Sequence, residues 1–221
     1  MGRQILSDFY NRLYERYGPQ HWWPGETSFE IVVGAILTQN TNWKNVEKAI
    51  SNLENAGCLT PEKLYGLPVG KLAELIRPAG YFNLKAQRLK NFLDWLFEKH
   101  DGMLESLETL PTSTLREQLL AIKGIGPETA DSICLYAFQK PIFVVDAYTA
   151  RIFGRHGMIE SPSGYEQIQE LFHAELEPDA ALFNEFHALI VRVGKEYCKR
   201  KPVCQGCPLE SLPHRIDDEL F

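Results

Sequence analysis

Leu119-Leu120-Ala121-Ile122-Lys123-Gly124-Ile125-Gly126-Pro127-Glu128-Thr129-Ala130 is the stretch on which the fold turns. Before the glycines, Leu115, Leu119 and Ile122 fall at helical spacing and form one apolar stripe. After them, Ala130, Ile133, Cys134 and Ala137 form a second. Between the stripes a Gly-Ile-Gly turn reverses the chain, followed by a proline suited to a first helical position. Residues 115–138 therefore read as helix, tight hairpin, helix. Glycines at 124 and 126 admit positive φ and leave backbone N–H groups uncovered beside a helix N-terminus, which suits an anion such as a phosphate. Such a contact reads a nucleic-acid backbone and not its sequence. An ordinary tight turn has the same chemistry, so the turn by itself leaves both readings open.

Just beyond the hairpin, Pro141-Ile142-Phe143-Val144-Val145 is apolar and β-branched, too short to carry a sheet and better suited to a buried connector. It delivers Asp146 to the start of another helical stripe, Ala150, Ile152 and Phe153. Aspartate is a favoured N-cap. A carboxylate held by backbone N–H groups also stays ionised, so capping and catalysis are compatible at this position.

Further out the period remains helical. Ile5, Phe9, Leu13 and Tyr17 recur every four residues. Capping-box patterns stand at Thr27–Glu30, Thr114–Glu117 and Ser163–Glu166, and Thr60-Pro61 offers another proline start. The pattern predicts about ten helices joined by short Gly/Pro/Asn turns, an all-α fold. With 221 residues, 44% of them hydrophobic, the chain can build one large domain or two modest ones around a packed core. The longest apolar run, Ile31 to Leu37, is far shorter than the roughly 20 residues of a membrane span. No apolar signal region follows Met1-Gly2-Arg3-Gln4, so a soluble cytoplasmic protein is expected.

The formal charge of −6 weighs against a polyanionic partner, but binding follows the local field. Lys123, Arg151 and Arg155 flank the hairpin and the aspartate, and Lys195, Lys199, Arg200 and Lys201 crowd near the C-terminus. The acids gather elsewhere, at 166–177 and 217–219. Any one basic cluster reads equally as a solvated helix face.

The hairpin stretch, Val144-Val145-Asp146 and Arg151 together resemble the signature of the endonuclease III superfamily of helix-hairpin-helix DNA glycosylases. Gly80-Tyr81-Phe82-Asn83-Leu84-Lys85-Ala86 resembles that family's glycine-asparagine-lysine-alanine turn. Ile36-Leu37-Thr38-Gln39-Asn40-Thr41 resembles the helix end that pushes a glutamine into the duplex. The resemblance implies a two-lobed fold. One lobe is a six-helix barrel over 28–135 with the hairpin (115–138). The other joins 1–27 to 136–221 and carries the aspartate and a C-terminal cysteine loop (198–214). It also implies a monomer acting on double-stranded DNA of the nucleoid, with the target base extruded because its glycosidic carbon is unreachable in the stack. Gln39, Lys123, Gly124, Ile125, Gly126 and Arg151 would then meet DNA, and Asp146 would be the catalytic carboxylate.

Departures from the family pattern narrow the chemistry. Bifunctional members carry a lysine two residues after the second hairpin glycine, where this chain has Glu128. A carboxylate forms no Schiff base, so a monofunctional glycosylase without lyase activity is expected. Trp22-Trp23-Pro24, with Trp43 after the Gln39 segment, resembles the branch that excises 3-methyladenine and related alkylpurines. There aromatic rings sandwich the base, and a cationic purine adds a cation–π term of roughly 0.5–2 kcal/mol. Lys195 resembles a pocket-side lysine of that branch. An interface of the core is the competing reading of the tryptophans.

Cys198-x5-Cys204-x2-Cys207 resembles the family's C-terminal iron-sulfur loop, with a first gap one residue short and Pro213 where the fourth cysteine would fall. His214 is the alternative fourth ligand. A 4Fe–4S cluster, a zinc with three cysteines and a histidine, and an empty loop all remain open; no other cofactor is expected. Two alternatives to a monofunctional alkylpurine glycosylase stand beside it: an endonuclease III-like glycosylase and abasic-site lyase on oxidised pyrimidines, and a non-catalytic DNA-binding protein that keeps the hairpin for phosphates.

Overall fold

The computed structural model describes residues 2–160 and 163–216; Met1 and the acidic run 217–219 lie outside the described residues. Twelve α-helices are present among the described residues, and no strand. None of these helices is long and apolar enough to cross a membrane. The chain divides into two compact units, Trp23–Lys140 and Met1–Trp22 with Pro141–Phe221.

The unit Trp23–Lys140 holds α2 (Ser28–Thr38), α3 (Trp43–Asn55), α4 (Pro61–Gly66), α5 (Val69–Leu75), α6 (Phe82–His100), α7 (Glu105–Glu108), α8 (Thr112–Leu120) and α9 (Pro127–Ser132). α2 is apolar around most of its circumference and accordingly central: Val32, Val33, Ile36 and Leu37 are fully buried. Its N-terminus is capped as expected, Glu30 N donating to Thr27 Oγ1 at 3.1 Å. The Glu30 carboxylate, however, accepts from Glu26 N at 2.9 Å, so the box with Thr27 is only half made. α6 turns Leu89, Phe92, Leu93 and Leu96 inward, and α5 packs on it.

α8 and α9 are the two arms of the hairpin. α8 begins at Thr112, straight after Pro111 in extended conformation, which places Thr114 inside the helix and removes the box expected at Thr114–Glu117. The second arm continues past α9 as a single π-helical turn, Ile133–Ala137. Arg116 on α8 grips the fully buried Asp131 on α9 with two hydrogen bonds, at 2.7 and 3.3 Å. That fork-to-fork geometry sets the angle between the arms as well as holding them.

The unit Met1–Trp22 with Pro141–Phe221 holds α1 (Gly2–Tyr17), α10 (Ala147–Arg155), α11 (Tyr165–Glu175) and α12 (Ala180–Glu196). α1 and α10 pack on α12. Its centre is aromatic: Phe143 stacks on Phe172 at 3.7 Å, and Phe153, Phe183 and Phe186 close around them. The connector 141–145 is buried from Ile142 to Val145, as its composition predicts. Lacking a strand partner, its backbone is satisfied by side chains of α11. Gln169 Nε2 donates to Phe143 O at 2.6 Å, Phe143 N to His173 Nε2 at 2.9 Å, and Val145 N to the Tyr165 hydroxyl at 3.3 Å. α11 itself starts one residue later than expected. Gly164 N donates to Gln167 Oε1 at 2.9 Å, while the Ser163 hydroxyl turns back to Glu160 O, so the box does not run from Ser163 to Glu166.

Candidate functional site

In the hairpin unit, Gly124 has φ +98°, which a side chain would strain, and an added Cβ would lie 2.6 Å from Arg88 Cγ. Ile125 N closes the turn on Ile122 O at 3.1 Å, and Ile125 itself is buried. Among the described residues the amides of Gly124 and Gly126 have no protein partner. Lys123 and Glu128 are exposed on either side of the turn.

Gln39 ends α2 and is drawn onto this hairpin. Its Nε2 donates to Gly124 O at 3.1 Å and to Thr129 Oγ1 at 2.9 Å, and Arg88 Nη1 donates to its Oε1. Sequence reading did not single out Arg88 or Asn91. Both follow Lys85 at intervals of three on α6, which places the three on one helical face. Lys85 Nζ holds Leu37 O at 2.9 Å and Ala79 O at 2.7 Å, and Asn91 Nδ2 holds Lys123 O at 2.8 Å. One stripe of α6 thus fixes the end of α2, the glutamine after it, and the backbone of the turn. The spacing of polar residues on an otherwise inward-facing helix was the available signal.

Trp23 lies edge-on to Trp43 with ring centres 5.0 Å apart and against Tyr136 at 5.0 Å, over Gly34, where an added Cβ would meet the indole at 3.3 Å. Pro24 beside it is exposed. Trp22 belongs to the other unit, where Lys195 Nζ stands 5.9 Å from its ring centre. Trp22 and Lys195 line a groove of about 410 Å³ together with Gln20, Ala188, Val191 and Arg192.

Asp146 is the N-cap of α10. Its Oδ1 accepts from Thr149 N at 2.8 Å and from Thr149 Oγ1 at 3.0 Å, while Oδ2 faces His187 Nε2 on α12 at 3.7 Å. The carboxylate side chain is 14% exposed and the imidazole 7%. Burial pushes His187 down from its ordinary value; Asp146 works against this and Lys195 adds to it. Sequence reading noted His187 only beside Phe186 and Lys195 and gave it no role, because nothing local marks a histidine that meets its partner across two helices.

Arg151 donates through Nε to Cys198 O at 2.7 Å and lies over the Tyr148 ring at 5.0 Å. Arg155, buried, donates to Lys199 O at 2.7 Å and Arg200 O at 2.8 Å, and its Nη1 stands 3.2 Å from Cys198 Sγ. Cys198, Cys204, Cys207 and His214 line one pocket whose free space is about 30 Å³, the share of a single water. No three His, Cys, Asp or Glu side chains among the described residues converge on a metal position. His214 Nδ1 is engaged with Leu212 O at 2.8 Å, and burial raises the Cys204 and Cys207 thiols, with neighbouring cysteines adding to it. As packed, these residues do not fit a four-iron cluster or a tetrahedral zinc.

A family model described as HhH-GPD superfamily base excision DNA repair protein matches residues 33–178. A Methanocaldococcus jannaschii protein named as a provisional DNA repair glycosylase is 48% identical over 210 residues, covering 95% of this chain and 96% of its own length. Endonuclease III of Sulfolobus acidocaldarius is 32% identical over 181 residues, 81% of this chain and 78% of its own. Among solved structures, 3-methyladenine DNA glycosylase of H. pylori bound to 1,N6-ethenoadenine superposes with a TM-score of 0.75 at 31% identity, covering 88% of this chain and 97% of that one. Helical order, hairpin and matched span agree, and the chain belongs to the HhH-GPD superfamily of base excision DNA repair proteins.

Proposed function

We propose that this chain is a monofunctional DNA glycosylase that extrudes a damaged base, an alkylated purine, and hydrolyses its N-glycosidic bond with Asp146 as the catalytic carboxylate. The observation that carries the reading is the division of labour within that carboxylate. Oδ1 is committed to the cap of α10, which fixes the group, and Oδ2 is not used by the cap. A partly screened anion held in one orientation stabilises an oxocarbenium-like sugar and directs a water onto it. Gln39 would fill the space left by the extruded base, and the Gly124 and Gly126 amides would take a phosphate of the duplex. Trp22 offers an aromatic face on which the base could stack, with Lys195 beside its ring. Glu128, at the position where lyases of the superfamily carry lysine, supports hydrolysis without strand cleavage.

Asp146→Asn keeps the cap's shape and removes its charge. Release of free base from alkylated duplex should fall by about 10²–10³-fold in the variant while duplex binding stays close to wild type. The wild-type product should be an abasic strand that remains intact until alkali is added. Unchanged base release in the variant, or none from wild type that still binds DNA, overturns the glycosylase mechanism. A strand already cut would favour a lyase instead, a reading supported by the Sulfolobus acidocaldarius relative named endonuclease III.

A further inference from the structure

We infer that His187 is a positioning residue for the reaction: its imidazole packs against Oδ2 of Asp146, and its protonation pairs with that carboxylate and cancels the charge offered to the sugar. The inference rests on the reading of Asp146 given above and adds a second group, and a pH dependence, to it.

The geometry gives the imidazole a charged neighbour at ion-pairing distance, Asp146. Nε2 lies 3.7 Å from Oδ2, on the side of the carboxylate not occupied by Thr149. His187 sits in the middle of α12 between the buried Phe186 and Ala188, so its backbone cannot drift. Its ring is edge-on to Phe143, at 6.4 Å and 81° between planes, and Phe143 is pinned in turn by Gln169 and His173. The charged groups that bear on it are Asp146 at the cap of α10 and Lys195 two turns along its own helix; the connector presents the Phe143 ring. The remaining aromatic neighbours of this region, Phe183 and Phe186, carry no charge. Burial holds the imidazole in its uncharged form at neutral pH, and the nearby ammonium acts in the same direction.

Electrostatic consequences follow from the charge state. A neutral imidazole brings no countercharge to the carboxylate, so Asp146 keeps its full field for a cationic sugar. Once protonated, the ring becomes a counter-ion at ion-pair distance in a poorly solvated place, and the field at the sugar collapses. Activity should therefore decline on the acid side as His187 takes up its proton.

The test measures single-turnover release of methylated purine from alkylated duplex at saturating protein between pH 4 and 8. Wild type should show an acid limb falling about tenfold per pH unit below its midpoint. His187→Gln, neutral at every pH and still able to donate, should keep most of the neutral-pH rate and shift that limb to lower pH. His187→Asn is the second neutral variant should glutamine fail to fold, with thermal melting as the check. His187→Phe, which keeps a ring but no polar atom, should lower the rate at all pH values with duplex binding close to wild type. A flat wild-type profile, or a limb in the glutamine or asparagine variant that superimposes on the wild type, overturns the role of His187. Asp146→Asn measured alongside separates the two readings: if it is inactive while the His187 variants retain the wild-type profile, only the histidine's role is lost. If it is as active as wild type, the carboxylate's role falls first.

Discussion

Burying an ammonium among apolar side chains costs several kcal/mol unless every proton finds an acceptor. Lys85 is 1% exposed and sits between two carbonyls, Leu37 O and Ala79 O, with no acidic partner among the described residues. Burial, reinforced by the neighbouring Arg88, brings its pKa down to about 8. A neutral amine has two N–H donors, enough for both carbonyls, so losing the proton loses neither bond. In the unfolded chain the lysine keeps its proton to about pH 10.4. Between about 8 and that value the unfolded state therefore binds more protons, and the stability contributed at this site rises with pH across the window. Lys85→Met removes the titration and leaves both carbonyls unsatisfied. Urea unfolding at pH 7 should show a loss of about 2–3 kcal/mol. The gap between wild type and variant should widen from pH 8 to pH 10; a gap that stays constant would mean that the amine is solvated in the folded protein. Because Leu37 O lies two residues before Gln39, the same variant should loosen the helix end that presents the glutamine.

At the scale of elements, the C-terminal loop after α12 shows how a motif keeps its shape while its chemistry changes. Arg155 holds the carbonyls of Lys199 and Arg200 and the sulfur of Cys198, and Arg151 holds the Cys198 carbonyl. Two arginines of α10 thus fasten a loop that a bound metal could otherwise hold. Arg155→Leu should lower the melting temperature by several degrees through the orphaned carbonyls, whereas a strong chelator should leave the wild-type value unchanged. A fall on chelation would show that the cysteines and not the arginines carry the loop. The contrast marks what was legible in the sequence. Apolar periodicity is a local property, so the helices, the hairpin 115–138 and the buried connector could be read directly. Caps were less legible, since several hydroxyls and carboxylates within a few residues compete for the same amides. Thr27 won its position, whereas Pro111 and Gly164 displaced Thr114 and Ser163. Asp146 was visible because it is both a cap and a family landmark. The grips of Arg88 on Gln39, Arg155 on the cysteine loop and His187 beside Asp146 join residues 41 to 49 positions apart, and no local pattern encodes them.

For the whole molecule, a formal charge of −6 sets a limit on how duplex DNA can be held. Long-range attraction is weak or repulsive, so binding must come from a few cations at short range and from uncharged backbone donors. Of the basic residues that the sequence clusters, Arg151 and Arg155 are engaged with carbonyls of the cysteine loop. Lys123 beside the glycine turn and Lys199, Arg200 and Lys201 in the loop are exposed. If these four meet phosphates while the Gly124 and Gly126 amides take another without charge, only four phosphates are neutralised by cations. The logarithm of the binding constant should then fall with the logarithm of salt concentration at a slope of about −3.6. Replacing Lys199, Arg200 and Lys201 together by alanine should reduce the slope by nearly three, weakening binding equally on damaged and undamaged duplex, because phosphate contacts carry no sequence or lesion information. Lys123→Ala should remove about one more. A wild-type slope near twice the expected value would mean that cations outside these two segments carry the duplex, and an unchanged slope in the triple variant would remove the cysteine loop from the DNA interface.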